Sequence, residues 1–442
     1  MSLQLLIDDA LAQTPPGRGV WVALSGGLDS SLLLTLAADA CRRYPRPLRA
    51  LHVHHGLQVA ADDFAAHSRR LASRLGVPLF LERVTVDPVG AGLEGAAREA
   101  RYAAFARRVS PGEILWLAQH RDDQAETFLL AALRGSGVRG LAAMPPRRDW
   151  QGRGVARPLL GRPRAELEAE AARLDLAWVE DPSNADTTLD RNFLRRTVMP
   201  LLESRWPHAG AALAAAAGHA GEADALLEAL AALDLARLGG DAERLPVAEL
   251  AELPVERRRL LIRYASGQLG LPTPPARRLE TLLAQLGARP DAEVRVAWPG
   301  AEARLWRDHL YLLAPVSSLP ADWQADWDGE TALATPLGEA RVALARDDGV
   351  PLRLRVAPRR GGEWLRLAGR GRRDLKRLLQ ELDVPPWVRE RLLVVHQGSD
   401  TVAVLDAGEG RWLAIAEGWL SDTPGPAGSR PPAGRRPPVR GR

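Results

Sequence analysis

The sequence predicts an α/β protein: a doubly wound, mostly parallel sheet in an N-terminal domain, then a mainly helical domain and a small α+β C-terminal domain. Three observations predict it. Between Val20 and Arg134, short apolar runs alternate with helix-length amphipathic stretches, the pattern of βαβ units. At 442 residues the chain exceeds what one core supports. Past residue 208 the composition changes, first to an alanine-rich stretch around Ala211–Ala217 and later to an arginine-rich one at Arg359–Arg377. The expected domains are 1–207, 208–318 and 319–422. Residues 423–442, dominated by Pro, Gly and Arg, read as a disordered basic tail.

Leu3–Ala12 reads as a helix, and the Pro-Pro-Gly turn behind it leads into a buried strand, Val20–Leu24. A turn at Ser25–Asp29 opens a helix to Arg43. Leu48–Val53 alternates as a strand and stops at His54-His55-Gly56. Helix is expected from Ala60 to Leu75, strand at Leu79–Val86, helix at Leu93–Val109, strand at Glu113–Ala118 and helix at Asp122–Arg134. Ligands of such sheets sit beyond the C-terminal ends of the strands. The glycine turn, His54–Gly56 and Gln119–Asp123 all fall there, so they are expected to share one crevice. Further on, helices are expected at Pro163–Leu174, from Asp190, at His208–Leu238, Val247–Leu269 and Pro275–Leu286. Short strands follow at Glu293–Trp298, Ala303–Trp306 and Leu310–Leu313.

Composition narrows the chemistry. The single cysteine, Cys41, excludes an internal disulfide and a Cys-x-x-Cys redox pair. No apolar run approaches 18 residues, so no membrane span is expected. The N-terminus has no basic, then apolar, leader, and the expected compartment is the cytoplasm. Net charge is only +4, from 59 basic and 55 acidic residues, so the distribution of charge says more than its total.

The stretch Ser25-Gly26-Gly27-Leu28-Asp29-Ser30 joins a strand to a helix. Its glycines allow close backbone approach, and its hydroxyls and the helix N-terminus suit an anion. It is not the G-x-x-x-x-G-K-[ST] loop, because the only lysine in the chain is Lys376. The S-G-G-x-D-S pattern resembles the PP-loop of the ATP pyrophosphatases. A second chemical stretch is His120-Arg-Asp122-Asp123-Gln-Ala-Glu126. Acids in a first helical turn are what capping and the helix dipole favour; three carboxylates beside a histidine also suit a cation or Mg²⁺. Both readings stay open on spacing alone. The histidines His52, His54 and His55 lack the cysteine or carboxylate partners of a zinc site.

The motifs Ser25–Ser30, His52–Leu57, Ala97–Tyr102, Asp122–Thr127, Arg134–Gly137, Arg157–Leu160 and Asp181–Asp186 with Arg191-Asn192 occur in that order. Together they resemble the tRNA(Ile)-lysidine synthetases, N-type members of the PP-loop superfamily. The chain departs from that family's pattern at His54, where an aspartate is common, and at Gln119-His120, where two histidines are common.

The resemblance implies an ATP- and Mg²⁺-dependent ligase. Its partners would be an isoleucine tRNA with a CAU anticodon, ATP and free L-lysine, with no membrane; a homodimer stays open. It implies ATP contacts at Ser25, Gly26, Gly27, Leu28, Asp29, Ser30, His54, Arg101 and Gly135, and Mg²⁺ at Asp29. Asp123 and Glu126 would grip lysine, and Asp29, Asp123, Glu126 and Arg98 would form the catalytic set. Arg98 and Arg101 also read as ordinary exposed helix arginines. Arg191, Arg195, Arg359, Arg370, Arg372, Arg373 and Lys376 would meet tRNA. Eight basic residues fall between Arg359 and Arg377 against Glu363 and Asp374, with Trp364 among them, which suits a phosphate-binding face.

Overall fold

The computed structural model describes residues 2–56, 61–86, 92–289, 294–346 and 352–421. Leu57 and the expected tail at 423–442 lie outside the described residues. The chain divides into two compact units, Met1–Leu230 and Ala231–Arg442.

The first unit begins with α1 (Leu3–Ala12), which Ser2 caps by accepting from the Leu5 N–H. Its elements continue as β1 (Val20–Ala23), α2 (Leu28–Arg43), β2 (Leu48–His54), α3 (Ala61–Leu75), β3 (Leu79–Arg83), α4 (Gly92–Arg108), β4 (Ile114–Trp116) and α5 (Arg121–Leu133). After the short α6 (Val138–Leu141) come β5 (Arg147–Trp150), β6 (Arg153–Ala156) and α7 (Arg164–Arg173). The sheet runs β3-β2-β1-β4-β6-β5, parallel except for β5.

Alternation along β1 explains why both sheet faces are covered. Val20 and Val22 join the cluster built by Leu32, Leu33, Ala37 and Leu159. Trp21, pointing the other way, packs with Leu51, Phe105 and Leu115. From β1 the chain winds outward through β2 and β3, then returns to β4 on the other side of β1. Neighbouring strands that leave in opposite directions open a crevice at their C-terminal ends. The loops after β1 and β4 flank that crevice, so the glycine turn and His120 are brought together by topology.

Two differences from the expected elements have local causes. The β5–β6 hairpin is not predicted because Arg147–Ala156 is polar and carries no apolar alternation. Its signal is the turn, where Gln151 and Gly152 have φ of 54° and 73°, as a two-residue hairpin of matching twist requires. The helix expected at Val247–Leu269 is two helices, Val247–Glu252 and Val255–Gln268. Pro254 cannot donate the helical hydrogen bond between them.

The second unit holds a four-stranded antiparallel sheet beside the helices Val255–Gln268 and Ala276–Gln285. It also holds a seven-stranded sheet with two short helices, Leu375–Glu381 and Pro386–Arg389. One apolar cluster spans Leu235–Leu312, and two others lie within Leu319–Ala416. The helix Ala209–Arg237 runs across the 230/231 division.

Candidate active site

The glycine turn is organised by its own hydroxyls. Ser30 Oγ accepts from the N–H groups of Ser25 and Gly26 at 3.1 and 3.2 Å, and Ser25 Oγ lies 2.9 Å from it. Ser30 itself is buried, so it shapes the loop from below rather than reaching into the crevice. Gly26 has φ +94°, and a Cβ there would meet Phe64 at 3.0 Å. Underneath, the His52 ring sits 2.8 Å from the Leu24 carbonyl and 3.3 Å from Ser68 Oγ. Burial lowers its basicity, which makes it a neutral prop of the loop.

Asp29 opens α2 with its carboxylate at the crevice. Its Oδ2 accepts from Arg164 Nη1 at 2.9 Å and lies 3.9 Å from His120 Nε2. Its Oδ1 is buried without a hydrogen-bond partner. Burial pushes the Asp29 carboxyl above its usual range, against the opposing pull of Arg164 and His120. A buried anionic oxygen without a donor suits a cation, and Mg²⁺ commonly takes one or two carboxylates plus phosphate oxygens. The donor set therefore fits a magnesium ion that arrives with a nucleotide.

His120 is the N-cap of α5. Its Nδ1 accepts from the Asp122 N–H at 3.3 Å, while the His120 N–H donates to Asp123 Oδ2 at 3.0 Å. Capping thus accounts for one oxygen of Asp123. It does not account for Glu126, whose side chain is 2% exposed.

Both carboxylates are held by two guanidiniums from the helical segment that starts at Asp190. Arg191 donates to Glu126 Oε2 at 2.8 Å and to Asp123 Oδ1 at 2.9 Å. Arg195 donates to Glu126 Oε1 at 2.7 Å and to Asp123 Oδ1 at 3.0 Å. Burial opposes the charge on Asp123, but His120, Arg191 and Arg195 outweigh it and hold the carboxyl below its usual range. The segment at Leu194–Val198 is wound as a π-helix, a local widening common where function constrains a helix. Asn192 closes the preceding loop, donating to the carbonyls of Ser183 and Asp186 at 2.8 and 2.9 Å.

The other expected residues are dispersed. His54 pairs with Asp62 at 3.2 Å, and burial, with the nearby charge of Arg101 adding to it, lowers the basicity of His55. Arg98 lies over the Tyr102 ring at 5.0 Å, near the buried Arg157. Gly135 sits at φ 67° in the loop after α5, and that loop is tied back where Gln124 and Met144 exchange two 3.0 Å hydrogen bonds. Arg191 and Arg195, expected on RNA, face carboxylates here.

Two further arginines join the site: Arg157, which opens one of the motifs but carries no expected role, and Arg164, which belongs to none of them. Arg164 holds Asp29, and its N–H also donates to Asp122 Oδ2 at 3.1 Å. Arg157 donates to Gln119 Oε1 at 3.0 Å and to the Pro145 carbonyl at 2.8 Å. Neither interaction has a signature in local spacing; Arg164 shows in sequence only as the start of a helix with Glu168 four residues on.

In the second unit, Arg359 turns toward Glu363 and Arg370 pairs with Glu381. Arg372 lies over the Trp364 ring, and Arg373 and Lys376 are exposed.

Residues 3–202 match a family model described as a PP-loop domain. Residues 245–311 match a TilS substrate binding domain, and residues 354–415 a TilS substrate C-terminal domain. A tRNA(Ile)-lysidine synthase of Xanthomonas axonopodis pv. citri is 45% identical over 93% of this chain and 93% of its own. The chain belongs to the tRNA(Ile)-lysidine synthase family. A second such synthase, from Pseudomonas aeruginosa, is 44% identical over 91% of this chain and 92% of its own. A third, from Alkalilimnicola ehrlichii, is 43% identical over 95% and 96%. A tRNA(Ile)-lysidine synthase family member is a tRNA-modifying ligase with an ATP-using PP-loop domain, here the unit whose crevice holds Asp29, His120, Asp123 and Glu126. No helix among the described residues is long and apolar enough to cross a membrane.

Proposed function

We propose that this chain ligates free L-lysine to C2 of the wobble cytidine of a CAU-anticodon isoleucine tRNA. It would act in the cytoplasm and change the tRNA's codon and amino-acid specificity from methionine to isoleucine. The observation that carries the reading is the pair of half-buried Asp123 and buried Glu126 beside the glycine turn at the crevice between β1 and β4.

ATP lies against Ser25–Ser30, with its phosphates toward the start of α2. The cytidine O2 attacks the α-phosphorus; the bond to the β-phosphate oxygen breaks and pyrophosphate leaves. Mg²⁺, held at Asp29, would neutralise charge on the phosphates in this step. The lysine ε-amine, in its neutral form, then forms a bond to C2 and gives up one N–H proton to solvent, the C2–O2 bond breaks and AMP leaves. A carboxylate held below its usual range is a poor proton acceptor and a good counter-ion. Asp123, with Glu126, therefore grips the cationic lysine. Arg191 and Arg195 already neutralise that pair, so lysine enters where one guanidinium withdraws. Arg359, Arg370, Arg372, Arg373 and Lys376 meet the tRNA phosphates.

Incubation with ATP, labelled lysine and the CAU-anticodon tRNA tests this. Label in the RNA that disappears when the wobble cytidine is replaced is the expected result. No transfer at any Mg²⁺ concentration would sink the proposal.

A further inference from the structure

The hairpin Trp364–Leu367 and Gly371–Asp374 forms one edge of the seven-stranded sheet. Its register sets Trp364 opposite Asp374, Leu365 opposite Arg373 and Arg366 opposite Arg372. Successive side chains alternate faces. Leu365 is fully buried, so its neighbours Trp364 and Arg366 turn outward with Arg372.

Trp364 is left 46% exposed, and the Arg372 guanidinium lies 5.0 Å from its ring centroid. Asp374, across the hairpin from the ring, accepts from the Arg377 N–H at 2.9 Å and so caps the next helix. Arg366 and Arg370 pair with Glu417 and Glu381. Among the described residues, Arg372, Arg373 and Lys376 have no carboxylate partner within ion-pair distance.

Cations on an edge strand discourage strand pairing between molecules. That accounts for arginines but not for a large aromatic ring left open among them. Phosphates need only cations, and A-form duplex RNA keeps the faces of its bases inside the stack. An unpaired base offers a free π-face, which an indole flanked by arginine stacks against.

We propose that Trp364, backed by Arg372, is a stacking platform for an unpaired nucleobase of the RNA substrate, from its single-stranded 3′ end or from a loop. The inference rests on the proposed RNA-binding role of this basic face and adds what that face reads.

The test is tRNA binding by the full chain across a salt series, with Trp364→Ala, Trp364→Phe and the double variant Arg372→Gln/Arg373→Gln. Stacking is worth about 1–3 kcal/mol per base, so Trp364→Ala is expected to weaken binding on the order of tenfold. Its salt slope should stay unchanged, because the ring carries no charge. Trp364→Phe restores most of the affinity. If trimming the unpaired 3′ nucleotides removes the effect of Trp364→Ala, the base comes from that end; if the effect persists, it comes from a loop. Undiminished affinity in Trp364→Ala, or an equal drop on a blunt duplex, overturns the platform. A flattened slope in the arginine variant alone would keep the RNA-binding face without the stacking, and no change in that variant would remove the face itself from RNA binding.

Discussion

Asp123, mostly buried, is held in its charged form by His120, Arg191 and Arg195 against the cost of desolvation, and the same two arginines pair with the buried Glu126. Removing one partner of a buried pair costs about 3–5 kcal/mol. The double variant Arg191→Ala/Arg195→Ala is therefore expected to lower the unfolding free energy by several kcal/mol, read by urea denaturation. Acid should act at the same place. Asp123 has a folded pKa below its unfolded one, so its contribution is fully present above pH of about 4 and lost as pH falls toward the folded value. Asp123→Asn should accordingly lose less stability than the parent between neutral and acid pH. If these carboxylates hold lysine, Asp123→Asn or Glu126→Gln raises KM for lysine on the order of tenfold to a hundredfold, as loss of a charged hydrogen bond of about 1.5–3 kcal/mol implies. Adenylation of tRNA without lysine should persist.

At this scale sequence shows which residues are chemical but not which meet. Ser25–Ser30 and Asp122–Glu126 are legible because each motif is contiguous. The pairings of Arg164 with Asp29 and of Arg195 with Glu126 span 135 and 69 residues, and no local periodicity encodes them.

Among the elements, the loop after β1 is the least tolerant of change. Gly26 at φ +94° faces Phe64 and Ser68, so Gly26→Ala forces an L-residue into a strained region and pushes α3 away. The expected result is loss of ATP affinity with the fold retained, measured by nucleotide titration and circular dichroism; undiminished ATP affinity would show that the turn does not touch the nucleotide. Asn192 bridges two carbonyls of the loop 181–192, and Asn192→Ala should cost about 1–3 kcal/mol by leaving them unpaired. Helices and central strands of the first unit are legible because burial imposes a 3.6- or 2-residue period. The β5–β6 hairpin is not, because an edge strand with polar faces has no period to show.

For the whole molecule, alternating elements announce the parallel sheet, and motif order announces the family. In the back half, separate apolar clusters lie on either side of residue 318 within one compact unit, and in sequence only a change of composition marks the passage between them. The exposed cations at the second unit's sheet edge make a long-range prediction. Neutralising Arg370, Arg372 and Arg373 together should flatten the salt dependence of tRNA binding, by up to about one logarithmic unit for each phosphate that is no longer neutralised. Arg370 already pairs with Glu381, so it should contribute least.

The central claim is that the crevice beside Asp29 passes the adenylate of ATP to the RNA before lysine acts. Incubation with ATP labelled at the α-phosphate and the CAU-anticodon tRNA, with lysine omitted, measures that transfer directly. Label should appear in the RNA, vanish with Asp29→Ala or with a wobble uridine, and be released as AMP when lysine is added. Lysine-dependent release of AMP that never passes through labelled RNA would contradict the account.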